Sequence, residues 1–232
     1  NVNKKKVKGK KIMLDTSPRV VLVQNVGMFS VGKDLKSAKI AGDLTETNAR
    51  VISSVEETST YKFIPEKDIF DVEYWSLEQA KIKKTKKLLE GNVVVITGST
   101  GTIGFETYKI FKSYGAEVVL LDFDREKLKV LESKIKDTCI YCDVTNKKSV
   151  KNAFNQICNK FGGVDILISN AGNAPSGIIG DVSDELLRKS FEVNFFSHQN
   201  CASEAVKIMQ KQNINGCLLF NISKQSVNPG KN

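Results

Sequence analysis

The chain has 232 residues, 41% of them hydrophobic and 26% charged, with a net charge of +9; that is enough chain for one large domain, or one domain with a smaller appendage, around a substantial core. No apolar run approaches the roughly 18 residues needed to cross a bilayer, and the basic opening "NVNKKKVKGKK" lacks the apolar stretch of a secretory signal, so no membrane partner is expected. Charge is uneven: residues 1–90 carry 18 Lys+Arg against 12 Asp+Glu, and residues 91–232 carry 17 against 14. The lysine runs at 4–11 and 81–87 have no interleaved aromatics, so they read as a solvated surface rather than a nucleic-acid site.

The first dozen residues read as a loose arm. "RVVLV" (Arg19 to Val23) reads as a short buried strand. The stretch "GKDLKSAKIAGDLTETNARVISSVEE" reads as a long helix, with Leu35, Ala38, Ile40, Ala41, Leu44, Ala49, Ile52 and Val55 forming an approximate apolar face. Pro65 breaks the pattern beside an aromatic cluster, Phe70, Tyr74 and Trp75. A second helix follows, with Leu77 and Ala80 as its apolar positions and lysines outward. "LEGN" (Leu89 to Asn92) marks a boundary, giving a mainly helical segment over 1–90 and a second domain over 91–232.

Beyond Asn92 the rhythm alternates. "VVVITG", "AEVVLLD", "CIYCD", "VDILISN" and "GCLLFNIS" are short aliphatic runs, separated by amphipathic stretches at 103–114, 124–136, 146–161 and 183–212. Near-continuous apolar strands signal a parallel sheet covered by helices on both faces. The fold class is therefore α/β, a Rossmann-like doubly wound sheet.

The five cysteines, at 139, 142, 158, 201 and 217, with no secretory signal, point to reduced thiols and a cytoplasmic location. "CIYC" has CxxC spacing but lies in a strand. A thioredoxin-like pair belongs at a helix start, and zinc needs a second ligand pair, so no metal site is expected. The single histidine, His198, sits in a helical run as a packing or surface residue.

The stretch "VVVITGSTGTIG" joins the first of these strands to a helix. Gly98, Gly101 and Gly104 stand where a backbone must turn tightly, approach a pyrophosphate and pack helix on sheet. The helix opening near Ile103 aims free N–H groups at the same anion. The next strand ends in Asp122, whose carboxylate accepts ribose hydroxyls. It also repels a 2′-phosphate, at about 4 kcal/mol per charge pair for a separation of about 4 Å and an effective dielectric of about 20. No Lys or Arg lies within 99–103 to offset that, and Arg125 reads as first-turn helix surface. NAD is favoured over NADP.

"TGSTGTIG" (97–104) resembles the cofactor loop of the classical short-chain dehydrogenases, and the family's other landmarks follow in order. The resemblance implies that Gly98, Ser99, Thr100, Gly101, Thr102, Ile103 and Gly104 hold the pyrophosphate. In "CDVT" it implies Asp143 on the adenine amino group and the Val144 backbone on the ring. "SNAG" (169–172) is similar to the family's NNAG motif, placing Asn170, Ala171 and Gly172 beside the nicotinamide ribose. "FEVNFF" (191–196) puts Asn194 at the proton-relay asparagine. The family's catalytic serine falls on Ser223, with Ser226 as the alternative, because Lys224 takes the place of the usual second serine. Its Tyr-x-x-x-Lys is expected past Asn232. "YKIFK" (Tyr108 to Lys112) matches that spacing, but it lies four residues past Gly104 on the pyrophosphate helix and reads as structural.

A narrower resemblance covers the remainder. "VGKDLKSAKIAGDL", "FDVEYWSLEQAKIKK" and "NISKQSVNPGKN" are similar to stretches of the bifunctional class II aldolase/short-chain dehydrogenase proteins, whose best-known branch joins rhamnulose-1-phosphate aldolase to lactaldehyde dehydrogenase. That implies an aldolase tail over 1–90, without the histidine cluster of the aldolase metal site, and an NAD-dependent hydride transfer on a small alcohol or aldehyde. It also implies a homo-oligomer in the complete protein. The competing reading is a non-catalytic dinucleotide sensor or scaffold.

Overall fold

Residues 11–14, 16–82, 87–178, 180–224 and 227 are described by the computed structural model. Contacts divide the chain into two units, Asn1–Lys86 and Lys87–Asn232.

In the first unit, strands β1 (Val20–Val23) and β2 (Gly27–Ser30) pair antiparallel. The hairpin turn uses Asn25 at φ +62°, a left-handed conformation that asparagine tolerates better than most residues. The strand expected at "RVVLV" is present, but it is largely solvent-exposed rather than buried, because a two-stranded ribbon has few neighbours to cover it. Helix α1 (Leu35–Glu56) begins where the Asp34 carboxylate accepts from the Ser37 N–H. Of the aromatic cluster, Phe70 lies in a separate helix, α2 (Glu66–Glu73), after Pro65, and stacks on Tyr74, the residue that caps its C-terminal end. In α3 (Ser76–Ile82), Leu77 is exposed while Gln79 is buried. Gln79 brackets Ile12, accepting from its N–H at 2.7 Å and donating to its carbonyl at 3.0 Å. Residues 11–14 are thus anchored rather than loose; residues 1–10 of the expected arm lie outside the described residues.

The second unit is built on five parallel strands: β3 (Val93–Thr97), β4 (Glu117–Asp122), β5 (Thr138–Tyr141), β6 (Ile166–Ser169) and β7 (Cys217–Phe220). Their spatial order is β5-β4-β3-β6-β7. Side chains alternate between faces along each strand. Val93, Val95, Val119, Leu121 and Leu167 pack on one face with Val150, Phe154 and Ile157 of α6 (Lys147–Phe161) and Cys201, Ala205 and Met209 of α8 (Ser197–Gln212). Val94, Ile96, Val118, Leu120 and Ile168 pack on the other with Tyr108 of α4 (Thr102–Ser113) and Leu131 of α5 (Arg125–Lys134). Each large side chain buried this way contributes about 1.5–3 kcal/mol, which is why strands apolar on both faces fold into the middle of a sandwich. β7 departs from that pattern. Among the described residues it pairs with β6 alone, and Leu219 and Phe220 are half exposed.

The stretch expected as one helix over 183–212 is interrupted. Helix α7 (Asp184–Phe191) passes into a π-helical turn (Glu192–Phe196) before α8. The extra residue of a π turn rotates the side chains that follow it. The turn contains Asn194.

Candidate functional site at the strand tips

The chain leaves β3 toward β4 on one side, and β6 lies on the other. That is the topological switch point, where crevices open at the carboxyl ends of the strands. Every sequence-predicted site residue among the described ones lies at or just beyond those ends, or on the π turn.

The glycine loop occupies the β3 end. Gly98 has φ +63°, and a Cβ there would lie 2.9 Å from the Ala171 Cα. A Cβ on Gly104 would collide with the Gly98 carbonyl oxygen. Both positions therefore exclude a side chain. Ser99 is fully buried, and its N–H and hydroxyl both donate to the Leu121 carbonyl at 3.1 Å, stitching the loop to β4. Helix α4 starts at Thr102 with no side chain capping it, whereas Asp124, Asn146 and Ser183 cap α5, α6 and α7. The first N–H groups of α4, at Thr102, Ile103 and Gly104, carry the partial positive charge of the helix end.

Asp122 closes β4 and is 6% exposed. Its Oδ2 accepts from the Thr100 N–H at 2.9 Å and the Thr100 hydroxyl at 2.8 Å, and its Oδ1 accepts from the Asp124 N–H at 3.1 Å. A carboxylate offers about four acceptor directions. Three are used here, so one remains on Oδ1 for an incoming hydroxyl. The structure thus fixes the acid directly against the loop that precedes it by 22 residues.

Asp143 lies past β5. Its Oδ1 accepts from the N–H and hydroxyl of Thr145 at 3.0 and 2.7 Å, and its own N–H donates to the Ser149 hydroxyl. The Val144 carbonyl accepts from the Asn200 side chain at 3.2 Å.

Beyond β6, Asn170 ties three strands together. Its Nδ2 donates to the carbonyls of Thr97 and Gly98, and its Oδ1 accepts from Asn221 at 2.8 Å. The N–H groups of Asn170 and Ala171 both donate to the Thr97 hydroxyl. A Cβ on Gly172 would sit 3.2 Å from the Asn194 Oδ1. Asn194 hydrogen-bonds Asn173 and Ser190. Ser223 is exposed, three residues past the end of β7, and Ser226 lies outside the described residues.

Thr97, Asn173, Asn200 and Asn221 belong to this constellation but were not singled out from sequence. The one available signal was a polar residue at the tip of an aliphatic run, as at Thr97 and Asn221.

The other sequence features fall elsewhere. Tyr108 is buried and donates to Asp137 at 2.7 Å, while Lys112 pairs with the same carboxylate; this is a structural clamp below the sheet's functional edge. In "CIYC", burial pushes the Cys139 thiol up to about 11 and the Cys142 thiol to about 12, leaving both protonated and weakly nucleophilic. The imidazole of His198 shares a 2.6 Å hydrogen bond with the Ser169 hydroxyl and meets the Phe220 ring edge-on.

A glycine-lined bend, an uncapped helix start and a buried carboxylate at adjacent strand tips define a dinucleotide-binding class of α/β protein. Comparison with known proteins narrows this. The family profile described as short chain dehydrogenase matches residues 92–232, and the chain belongs to that family. A profile described as aldolase class II, second domain, matches residues 2–82.

"Uncharacterized oxidoreductase YuxG" of Bacillus subtilis (strain 168) is 30% identical over 229 residues, covering 95% of this chain and 33% of YuxG. "Short chain aldehyde dehydrogenase 1" of Euphorbia lathyris is 37% identical over 149 residues, covering 61% of this chain and 51% of that protein. The chain thus spans about a third and about half of these two curated relatives. A short chain dehydrogenase structure from Mycobacterium smegmatis superposes with a TM-score of 0.57 at 27% identity, covering 59% of this chain and 60% of that one.

Proposed function

We propose that this chain is the cofactor-binding part of an NAD-dependent oxidoreductase that moves a hydride between nicotinamide and a small alcohol or aldehyde from sugar breakdown, with lactaldehyde the first candidate. Residues 1–90 would be the tail of an aldolase-type unit, in line with the profile match over 2–82.

The observation that carries the reading is the buried Asp122 carboxylate locked to Thr100 of the glycine loop. The site residues fit a dinucleotide. Gly98 and Gly104 leave the backbone bare where a Cβ would collide, and the start of α4 offers uncapped N–H groups to a pyrophosphate. The free direction on Asp122 Oδ1 accepts a ribose hydroxyl, and the buried negative charge disfavours a phosphate there. When bound, the nicotinamide supplies the hydride acceptor or donor.

The chain's own residues bind, orient and relay. Asp143 and the Val144 backbone would hold the adenine, and Asn170, Ala171 and Gly172 the nicotinamide ribose. Asn194 would position the proton relay, and Ser223 or Ser226 would steady the substrate oxygen. The general acid–base of this chemistry, a tyrosine assisted by a lysine four residues on, falls on this reading outside residues 1–232. A general acid–base is worth about 10²–10⁴ in rate, so residues 1–232 alone should turn over little. The complete protein is expected in a cytoplasmic compartment as a homo-oligomer.

The test is calorimetric titration of the gene's complete product with NADH and NADPH. The reading expects NADH to bind at least about tenfold tighter, a difference of about 1.4 kcal/mol, and Asp122→Asn to narrow the gap. Equal affinities, or a preference for NADPH, would sink it. Lactaldehyde oxidation followed by NADH absorbance tests the substrate separately.

A further inference from the structure

Asn200 sits in the first turn of α8 and is 6% exposed. Cys201, Ala205 and Met209 of the same helix are core side chains, and the partly buried Val144 packs against their cluster. The Asn200 Nδ2 donates to the Val144 carbonyl at 3.2 Å, while its Oδ1 is buried with no hydrogen-bond partner among the described residues. The nitrogen must be the atom that faces Val144, because two oxygens at that distance would repel. A buried acceptor left unpaired lowers stability. Packing therefore does not explain an amide here, and its one bond does.

That bond ends on a rigid unit. The Val144 carbonyl and the Thr145 N–H belong to one planar peptide group. The Thr145 N–H donates to the Asp143 Oδ1 at 3.0 Å, and the Thr145 hydroxyl donates to the same oxygen at 2.7 Å. One peptide plane is thus gripped at its carbonyl by Asn200 and at its N–H by Asp143. A carbonyl that accepts also polarises its amide and strengthens the bond its N–H gives. With Oδ1 engaged twice, Oδ2 is the oxygen that Asp143 presents to a ligand. Other hydrogen bonds of residues 143–146 stay local: the Asp143 N–H to Ser149, the Asn146 N–H to the Asp143 carbonyl, and the Asn146 cap of α6. Among the described residues, Asn200 alone hydrogen-bonds this turn from another element.

We propose that Asn200 is a positioning residue for the adenine end of the cofactor, its amide holding the 144–145 peptide so that the Asp143 carboxylate selects a 6-amino purine. That role rests on the cofactor reading above, in which Asp143 takes the adenine amino group. Hypoxanthine presents an oxygen where adenine presents that amino group, and a carboxylate aimed there repels it. A firmly held Asp143 separates the two bases. A swivelling one does not.

Calorimetry on the gene's complete product measures dissociation constants of NADH and of its reduced hypoxanthine analogue, with melting curves as the folding control. The wild type is expected to hold NADH about tenfold tighter or more, as one hydrogen bond to a charged acceptor supplies. Asn200→Leu keeps the branched shape but loses the donor, and should shrink that ratio about threefold or more. In Asp143→Ala the ratio is already low, and adding Asn200→Leu should not move it further. Should Asn200→Leu melt early, Asn200→Ser, too short to reach the Val144 carbonyl, reads the same loss.

A base-selective wild type whose ratio stands in both Asn200 variants overturns the role of Asn200 alone. Equal weakening of both dinucleotides is one such case, since a purely structural amide would give it. A further shrinkage in the Asp143→Ala background overturns the route through Asp143. A wild-type ratio near one removes Asp143 from the amino group, and Asn200 with it. A wild type that binds neither dinucleotide removes the cofactor reading itself.

Discussion

Asn194 and Asn173 hold each other by two hydrogen bonds. The Asn173 N–H donates to the Asn194 Oδ1 at 2.9 Å, and the Asn194 Nδ2 donates to the Asn173 Oδ1 at 3.0 Å. A third bond, to the Ser190 hydroxyl at 3.1 Å, fixes the same amide to α7. The loop after β6 is thereby fastened to the π turn between α7 and α8. Because the amide both donates and accepts, neither alanine nor aspartate reproduces it.

Asn194→Ala should therefore damage turnover more than cofactor binding. The expected outcome in the complete enzyme is a fall in kcat of about tenfold or more, equivalent to about 1.4 kcal/mol, with NADH affinity changed by no more than about threefold. Asn194→Asp keeps the acceptor but loses the donor and should fall between. Steady-state kinetics beside titration calorimetry separate the two effects. An unchanged kcat in Asn194→Ala would remove Asn194 from the relay.

Gly104 and Gly101 make a matched pair of substitutions in the cofactor loop. A Cβ at Gly104 would overlap the Gly98 carbonyl, whereas at Gly101 the nearest atom is that same oxygen at 3.4 Å, an ordinary contact. Gly104→Ala should cost about 1–3 kcal/mol as an overpacked contact and lower NADH affinity more than about tenfold. Gly101→Ala should stay within about 0.5 kcal/mol of the wild type in stability. Urea unfolding of both variants is the measurement; equal penalties would mean that helix and loop do not pack as closely as the geometry requires.

Much of the second unit was legible in the sequence because its signals are local. Glycine spacing after an aliphatic run, an acid at the end of the next run and alternating periodicities each need only a short window. The bonds that fasten the site are not local. The Thr97 hydroxyl serves N–H groups 73 and 74 residues away, and Asn221 reaches back 51 residues to Asn170. Which acceptor a polar side chain finds is decided by strand order, not by its neighbours in sequence. The π turn was hidden for a related reason: one extra residue in a helical repeat barely alters the apolar period of α7 and α8. In the first unit, "RVVLV" read as buried because aliphatic residues favour burial, but burial needs covering elements, and the ribbon of β1 and β2 has few. Gln79 is the opposite case, a polar residue buried because both ends of its amide meet the Ile12 backbone.

Tyr108 tests the structural reading of "YKIFK". Its hydroxyl donates to Asp137, and burial, followed by the neighbouring Asp137 carboxylate, pushes its pKa well above the usual tyrosine value. A phenol held protonated in this way is a poor base. Tyr108→Phe removes one hydrogen bond to a charged acceptor, a loss of about 1.5–3 kcal/mol at most. Asp137 keeps its pairing with Lys112. Thermal melts should show the loss, while kcat/KM of the complete enzyme stays within about twofold. A large kinetic defect without a stability defect would restore Tyr108 as a catalytic candidate.

His198 gives the chain a pH dependence whose sign follows from its burial. Desolvation holds its pKa below the ordinary histidine value of 6.5, so the folded ring stays neutral, with Nδ1 bonded to the Ser169 hydroxyl. In the unfolded chain the ring takes up a proton as pH drops through about 6.5. Between the two pKa values the unfolded state binds more protons, so stability rises with pH there. The His198 contribution is fully present above about pH 6.5 and is lost as pH falls from that value toward the folded pKa. Carboxylates titrate mainly below about pH 5, leaving this window to the imidazole among the side chains with shifted values. The melting temperature of the wild type should therefore drop between about pH 7 and about pH 5.5, and that drop should flatten in His198→Gln. Parallel slopes for the two proteins across that window would mean that the ring is hydrated in the folded state and that the Ser169 bond does not hold it neutral.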